Sequence, residues 1–345
     1  MSNRIYTEKC LLALYLLFIY YRLSSYYYFY YFCRNNYNVY TDFNMGIEMF
    51  FLRIEPRLTK VVSSYIFAFV FIFVLSNNSY SSELKELNLG ILSLSPPSKI
   101  YKNWKPFAQY LSSKLDMKVN IIAPRGFGKL KNMAENKQVD LFYVNSHIFY
   151  RLKKSGKAVP IAQMYNIADS TTSQSNIFVR NDSNISDISQ LKGKTFAFVS
   201  PMGAGGYLAP RAFMYEHGIK TKQQTIEIFT KNLTNSIYDV LLGKADAATM
   251  CGVNYQLMSK KLDTGELKII ASSSKYPENV LAARSNLPTS LLDKIRTIVI
   301  SMPDDSHGKE VLTTLNKMKI KKFIPYDPEI EKLTEKLLRS GEFSG

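Results

Sequence analysis

The stretch from Leu191 to Arg211, LKGKTFAFVSPMGAGGYLAPR, joins a strand-like run to a helix-compatible segment through a glycine-rich turn. The β-branched and aromatic run Thr195–Val199 predicts a strand, and Tyr207–His217 predicts a helix. The turn between them is Gly203–Gly206. Backbone N–H groups at a helix start are unpaired, and the helix dipole favours negative charge there. The turn therefore predicts a receptor for an anion or polar group. The alternative is a tight connection that needs glycine and binds nothing.

The composition narrows the class of protein. The chain has 345 residues and a formal net charge of +16, from 44 basic and 28 acidic side chains. Its basic residues are spread out, which indicates a solvated lysine-rich surface or a basic cleft and argues against a nucleic-acid partner. Three cysteines, Cys10, Cys33 and Cys251, are too few for a disulfide framework and lack the spacing of a zinc site.

The first 81 residues differ from the rest. Residues 1–44 form an atypical tyrosine-rich extension, which we interpret as a mistaken start upstream of Met45 or Met49 or as an unusual addition. In residues 45–81, basic side chains precede the apolar run Val61–Leu75, and small residues follow it. This order predicts a signal peptide cleaved near Ser81 and hence a periplasmic or secreted protein. The alternative is an uncleaved membrane anchor, although the run is short for a membrane span.

The following residues alternate short apolar strands with helical segments. The first four predicted strands are Leu87–Leu94, Val119–Ala123, Val139–Val144 and Val159–Gln163. Their βαβαβ order predicts a doubly wound α/β sheet, and ligands of such sheets lie beyond the carboxyl ends of the strands. The residues at those ends are therefore informative, and Ser98 is also a candidate cap for the helix that follows the first strand.

A second sheet is predicted between polar linkers. Its strands are Asn176–Arg180, Thr195–Val199, Ile226–Phe229, Ala245–Met250 and Leu267–Ala271, and Val280–Arg284 is the last strand predicted in the chain. We therefore expect one lobe from residues 84–173 plus 268–345 and a second lobe from residues 174–267.

Several motifs occur in one order over about 220 residues, and they resemble the phosphate/phosphite/phosphonate-binding components of ABC importers. The motifs are Trp104-Lys105-Pro106-Phe107 with Tyr110-Leu111, Val139-Asp140-Leu141, Leu191–Val199 with Gly206-Tyr207-Leu208 and Pro210-Arg211, Gly243-Lys244-Ala245-Asp246-Ala247, and Asn286-Leu287-Pro288. The resemblance implies a two-lobed type 2 periplasmic-binding-protein fold with a two-strand hinge and an interlobe cleft. It also implies a small anionic or polar solute, captured by hinge closure, and an ABC permease in the inner membrane as partner.

The sequence departs from that family at its ligand contacts. The family usually carries Ser-Thr-Ser where Gly203-Ala204-Gly205 stand, and its Ser-His-Asp segment aligns with Asn232-Leu233-Thr234. Cys251 stands where a carboxylate is often found. Each lost donor to an anion removes about 1.5–3 kcal/mol of binding free energy, so the fold and transport role are predicted more firmly than the ligand. We also expect Gly205→Asp to abolish anion binding while leaving the melting temperature nearly unchanged.

The candidate ligand-binding residues follow predicted strands or form the glycine turn: Ser95, Ser98, Tyr143, Asn145, Ser146, Gly203, Ala204, Gly205, Gly206, Tyr207 and Cys251. We expect no enzymatic activity, no cofactor and a monomer, with Asp246 structural. The alternatives are a membrane-tethered ligand-sensing domain of this fold and an enzyme with a His147–Cys251 pair. A further alternative is a Cu(I) site of Met202, Met250 and Cys251.

Overall fold

The computed structural model of the protein describes residues 84–92 and 96–340. The predicted extension (1–44), the predicted signal peptide or anchor (45–81) and Ser95 lie outside these residues. Within them, no helix combines the length and the apolar character that crossing a bilayer requires.

The described residues form thirteen strands and ten α-helices, together with short 3-10 and π turns. The strands are β1 (Glu86–Ile91), β2 (Lys118–Ile122), β3 (Leu141–Val144), β4 (Ala158–Asn166), β5 (Thr172–Ser173), β6 (Ser175–Arg180), β7 (Thr195–Phe198), β8 (Ile226–Phe229), β9 (Ala247–Cys251), β10 (Leu267–Ser272), β11 (Tyr276–Pro277), β12 (Val280–Arg284) and β13 (Ile320–Ile324). The α-helices are α1 (Pro97–Leu115), α2 (Phe127–Glu135), α3 (Ser146–Lys154), α4 (Ala209–Glu216), α5 (Thr221–Gln224), α6 (Leu233–Leu241), α7 (Gly252–Ser259), α8 (Thr289–Ile300), α9 (Ser306–Leu315) and α10 (Glu329–Ser340).

The larger lobe is built on a six-stranded sheet with the order β13-β4-β12-β3-β1-β2. Strand β1 pairs in parallel with both β2 and β3, which confirms the predicted βαβαβ unit. Strand β12 is inserted antiparallel between β3 and β4. Leu141 and Tyr143 of β3 face one core with α1, whereas Phe142 and Val144 face another with α3. Helices therefore cover both faces, as a doubly wound sheet requires.

Two predictions about the ends of these lobes are wrong. Val280–Arg284 is not the last strand, because Ile320–Ile324 adds β13 antiparallel to β4. In β13, two lysines stand between the buried residues Ile320 and Phe323, and they conceal the apolar pattern of the strand in the sequence. The predicted lobe boundary at residue 268 also falls inside a strand, since Leu267–Ser272 pairs with β6 of the smaller sheet.

The smaller lobe is built on a five-stranded sheet with the order β10-β6-β9-β7-β8. Strand β7 lies in parallel between β8 and β9 and ends at the glycine turn. Phe196 and Phe198 pack towards α4, whereas Ala197 and Ala248 pack towards α6. Both faces of this sheet are therefore covered as well.

In each lobe, an aspartate directly before a strand exchanges two hydrogen bonds with a residue of the neighbouring strand. In the larger lobe, Asp140 accepts a hydrogen bond from the Asn88 N–H at 2.7 Å and its own N–H returns one to Asn88 O at 2.8 Å. In the smaller lobe, Asp246 and Thr195 make the same exchange, at 2.8 and 2.9 Å. The sequence matches at Asp140 and Asp246 therefore mark strand registration, which agrees with the structural role expected for Asp246.

Candidate functional site

Two chain segments cross between the sheets side by side. Strand β5 pairs antiparallel with β11, so that Ser173 lies opposite Tyr276. Next to this ladder, the Ser175 N–H donates to Ser273 Oγ at 2.9 Å and the Ser273 N–H donates to Ser175 O at 2.8 Å. The crossing segments form a two-strand hinge, hereafter the β5/β11 hinge.

The polar residues after β3 lie where the larger lobe meets the hinge and the smaller lobe. Asn145 caps α3 through its Oδ1, which accepts from the Ile148 N–H at 2.9 Å, and its Nδ2 donates to Met202 O at 3.0 Å. Ser146 Oγ donates to Pro277 O at 3.1 Å. Both residues therefore satisfy backbone groups, and both do so across a boundary between structural units.

Tyr143 completes this group on the larger lobe. Its hydroxyl donates to Met164 Sδ at 2.8 Å, and its ring centroid lies 4.8 Å from that of Trp104. Burial, followed by the charge of Glu278, raises the pKa of Tyr143 well above its ordinary value. The phenol is therefore a neutral hydrogen-bonding group at every physiological pH.

The glycine turn approaches the hinge from the smaller lobe. Its helix begins as a π turn, Ala204–Leu208, and continues into α4 without the predicted start at Tyr207. The Leu208 N–H donates to Gly203 O at 2.9 Å, so the N–H groups between them precede the first intrahelical donor. A Cβ added at Gly205 would lie within 3.0 Å of three atoms of Tyr276, and Ser175 Oγ donates to Gly205 O. Gly205 is therefore required by close approach of the hinge.

Tyr207 points away from this junction. Its hydroxyl lies 3.1 Å from Glu227 Oε2 and accepts from Arg211 Nη1 at 3.1 Å, and its ring packs edge-on against Phe198 at 4.9 Å. Burial and the Glu227 charge raise the pKa of Tyr207 to about 12. Its side chain belongs to the core of the smaller lobe, so only its backbone shares the turn.

A polar cluster that the sequence did not single out lies beside Cys251. Glu278, on the hinge, is buried, and its Oε1 accepts from Asn166 Nδ2 at 2.9 Å and from Ser173 Oγ. Burial, then the neighbouring Cys251 and Glu278, raises the pKa of Tyr276 well above its ordinary value. Lys319 Nζ donates to Asn254 Oδ1. We call Cys251, Tyr276, Glu278 and Lys319 the hinge cluster.

Only two residues of the hinge cluster could have been singled out from the sequence. Tyr276 and Glu278 fall in the loop between two predicted strands, where a carboxylate beside a hinge could have been noticed. Lys319 lies beyond the last predicted strand, and its approach to α7 depends on β13, which was not predicted.

Ser98 takes no part in this junction. It is an exposed residue in the first turn of α1, and the cap position is Pro96, which makes no side-chain cap hydrogen bond. The prediction that Ser98 caps the helix is therefore wrong. Pro97 replaces such a cap, because a proline at the first helical position has no N–H to satisfy.

The residues of the two alternative sites, the Cu(I) site and the His147–Cys251 pair, lie in different parts of the structure. Met250 of β9 packs in a core of the smaller lobe. Met202 packs against the core of the larger lobe, and Cys251 packs near the glycine turn. Burial lowers the pKa of His147 to about 4, with Arg151 contributing, whereas the neighbours of Cys251 are Tyr276 and Lys319. The geometry thus favours neither a Cu(I) site nor a thiol–imidazole pair.

A polar cavity of about 350 Å³ opens beside the hinge. It reaches Asn166 and Ser173, the two residues that donate to Glu278, and it borders the first turn of α7 at Gly252. Its volume falls within the range of small-molecule sites. Its lining includes amide and hydroxyl side chains and the amine of Lys275.

Comparisons with known proteins point to one family. A family model described as "ABC transporter, phosphonate, periplasmic substrate-binding protein" matches residues 89–329. The phosphonates-binding periplasmic protein of Escherichia coli is 27% identical over 266 residues, which cover 74% of this chain and 78% of that protein. The residues that the family model matches include strands of both lobes and the β5/β11 hinge.

A solved structure and a second relative extend the comparison. PhnD1 from Prochlorococcus marinus, in complex with methylphosphonate, superposes with a TM-score of 0.65 at 19% identity over 74% of this chain and 98% of that chain. This likeness shows the same two-lobed periplasmic-binding-protein fold. The tetrathionate sensor histidine kinase TtrS of Salmonella typhimurium is 23% identical over 233 residues, covering 63% of this chain and 39% of that protein.

Proposed function

Because the chain belongs to the family of phosphonate periplasmic substrate-binding proteins of ABC transporters, we propose that it captures a small oxyanion between its lobes by hinge closure. The anion is of the phosphate, phosphite or phosphonate type. The family acts in the periplasm, and membership implies a solute ligand and a permease partner. The protein acts as a monomer and performs no reaction on the solute.

The observation that carries this proposal is that the larger lobe, the glycine turn of the smaller lobe and the β5/β11 hinge are in contact. Asn145 of the larger lobe contacts Met202 of the glycine turn segment, and Gly205 of that turn lies against Tyr276 of the hinge. Closure of such a junction on a ligand links binding to the closed state. The ligand contacts are Tyr143, Asn145, Ser146, Cys251 and the backbone of Gly203–Gly206.

A binding panel tests the ligand class. The full chain is titrated with phosphate, phosphite and methylphosphonate, and with acetate and succinate as carboxylate controls, by calorimetry and thermal shift. An oxyanion at a hundredfold excess over its dissociation constant is expected to raise the free energy of unfolding by about 2.7 kcal/mol. If no oxyanion shifts the melting temperature at millimolar concentration, or if only the carboxylates do, the proposed ligand class is wrong.

The likeness to TtrS favours a second candidate function, a membrane-tethered ligand-sensing domain. The two functions differ in the fate of residues 45–81. An exported binding protein loses them by cleavage near Ser81, whereas a tethered sensor retains the apolar run Val61–Leu75. Mass spectrometry of the protein purified from its own cells is expected to find an N-terminus near Ser82. An intact Val61–Leu75 segment in a membrane fraction would support the tethered sensor instead.

A further inference from the structure

Lys319 lies on the larger lobe where the chain enters its last strand. It follows the short helical turn Asn316–Met318 with a φ of 70°. Its carbonyl oxygen accepts from the Ile167 N–H at 3.1 Å, and the next residue, Ile320, pairs with Asn166. The backbone of Lys319 is therefore held by the segment that leads into the β5/β11 hinge.

The side chain of Lys319 crosses to the smaller lobe. Its Nζ donates to Asn254 Oδ1 in the first turn of α7. Burial lowers the pKa of Lys319, while the neighbouring Cys251 and Glu278 oppose that change. A half-buried ammonium still favours an opposite charge or several acceptors. At this contact the half-buried Lys319 has one neutral acceptor, the amide oxygen of Asn254.

The carboxylate near Lys319, that of Glu278, makes its hydrogen bonds elsewhere. Glu278 Oε1 accepts from Asn166 and Ser173, and within residues 84–92 and 96–340 Lys319 forms no ion pair. Lys321, two residues further along β13, pairs with Asp169 on the exposed surface. The two lysines therefore differ: one is neutralised at the surface, and the other is held between the lobes beside a neutral partner.

The hinge cluster connects Lys319 to the glycine turn. Tyr276 stands against Gly205, and Cys251 neighbours both Tyr276 and Lys319. Building on the proposed function, we propose that the Lys319 ammonium binds the oxyanion from the larger lobe while N–H groups of the glycine turn bind it from the smaller lobe. Three ammonium protons on a compact charge suit a tetrahedral oxyanion. One anion held from both sides also favours the closed state.

The proposal is tested by replacing Lys319→Gln in the full chain, with Lys321→Gln, two residues later in β13, as the matched control. Dissociation constants for methylphosphonate and inorganic phosphate are measured by calorimetry. Loss of one charge-assisted hydrogen bond is expected to weaken binding about 10- to 100-fold for Lys319→Gln. The control should change it less than twofold. Equal binding by wild type and Lys319→Gln overturns this inference alone, whereas failure of the wild type to bind either anion overturns the proposed function and this inference with it.

Asn254→Ala separates charge recognition from a mechanical contact between the lobes. If Lys319 binds the anion, removing its neutral partner changes the dissociation constants less than about threefold. A loss equal to that of Lys319→Gln would instead make Lys319 a closing contact and overturn the inference. Trace acetylation of the wild type, read by mass spectrometry, covers a variant that fails to fold. Saturating methylphosphonate should protect Lys319 and leave Lys321 unchanged, and unaltered labelling of Lys319 contradicts the proposal.

Discussion

Gly205→Asp is expected to lower the free energy of unfolding by at least about 4 kcal/mol, since it combines overpacking with burial of an unpaired polar group. An added Cβ would lie within 3.0 Å of the Tyr276 hydroxyl oxygen, Cζ and Cε1, and both residues are buried. Tyr276 has little room to move, because it is fixed in the hinge ladder opposite Ser173. Urea denaturation of the unliganded chain measures the loss.

Two further variants assign that effect to Tyr276. Gly205→Ala should cost about 1–3 kcal/mol in the wild type and clearly less when combined with Tyr276→Leu, so that the pair shows a coupling energy. Gly128→Ala is the matched control, because its added Cβ meets only Met202 Sδ at 3.8 Å. If Gly205→Asp unfolds at the same urea concentration as the wild type, the contact between turn and hinge is absent in solution.

The same contact explains why the sequence alone gave the opposite expectation for this variant. A glycine-rich turn after a strand was recognisable from Leu191–Arg211, and β7 and its turn lie where predicted. The residue that fills the space above Gly205, however, comes from Tyr276, some seventy positions later. Such a close approach depends on two lobes meeting at a hinge, and no local pattern records it. The structure therefore predicts the opposite effect on stability, although the turn was correctly identified.

The periodic signals predicted more than the isolated ones. Trp104, Phe107, Tyr110 and Leu111 are spaced as one buried face of a helix requires, and all four are buried in the core of the larger lobe. The single polar residues were harder to interpret. Tyr143 is the next-to-last residue of β3 and Asn145 follows that strand, so both reach the junction, whereas Tyr207 turns into the core of its own lobe. The spacing of apolar residues determines which face of a helix or strand a side chain occupies. The direction of a single side chain in a turn depends on the torsion angles of that turn, which the spacing does not specify.

Lys319 shows a different limit of the sequence. The strand that follows it, β13, is a lysine-containing segment and pairs with β4, more than 150 residues earlier. The side chain then contacts α7, which belongs to the other lobe. A residue whose surroundings come from three distant segments has no local signature, so the principal cation of the proposed site emerged only from the fold.

Asp140→Ala is expected to lower the free energy of unfolding by about 3–5 kcal/mol, because it leaves the largely desolvated Arg284, whose side chain is 14% exposed, with only the neutral Asn286 Oδ1 as a side-chain acceptor. Asp140 Oδ1 accepts from Arg284 Nε at 2.7 Å, and its Oδ2 accepts from the Asn88 N–H. Asp246→Ala is the matched control: Asp246 accepts the Thr195 N–H in the same strand-start exchange, and its loss should cost about 1–2 kcal/mol.

The difference between the two variants isolates the buried charge, and a double variant tests that assignment. Replacing Asp140→Ala together with Arg284→Met removes the carboxylate and the stranded guanidinium at once. A buried ion pair replaced by apolar groups often loses little stability, whereas breaking it from one side is strongly destabilising. The double variant should therefore be more stable than Asp140→Ala alone. Equal losses for Asp140→Ala and Asp246→Ala in urea denaturation would mean that the shared backbone exchange, and not the ion pair with Arg284, sets the contribution of both aspartates.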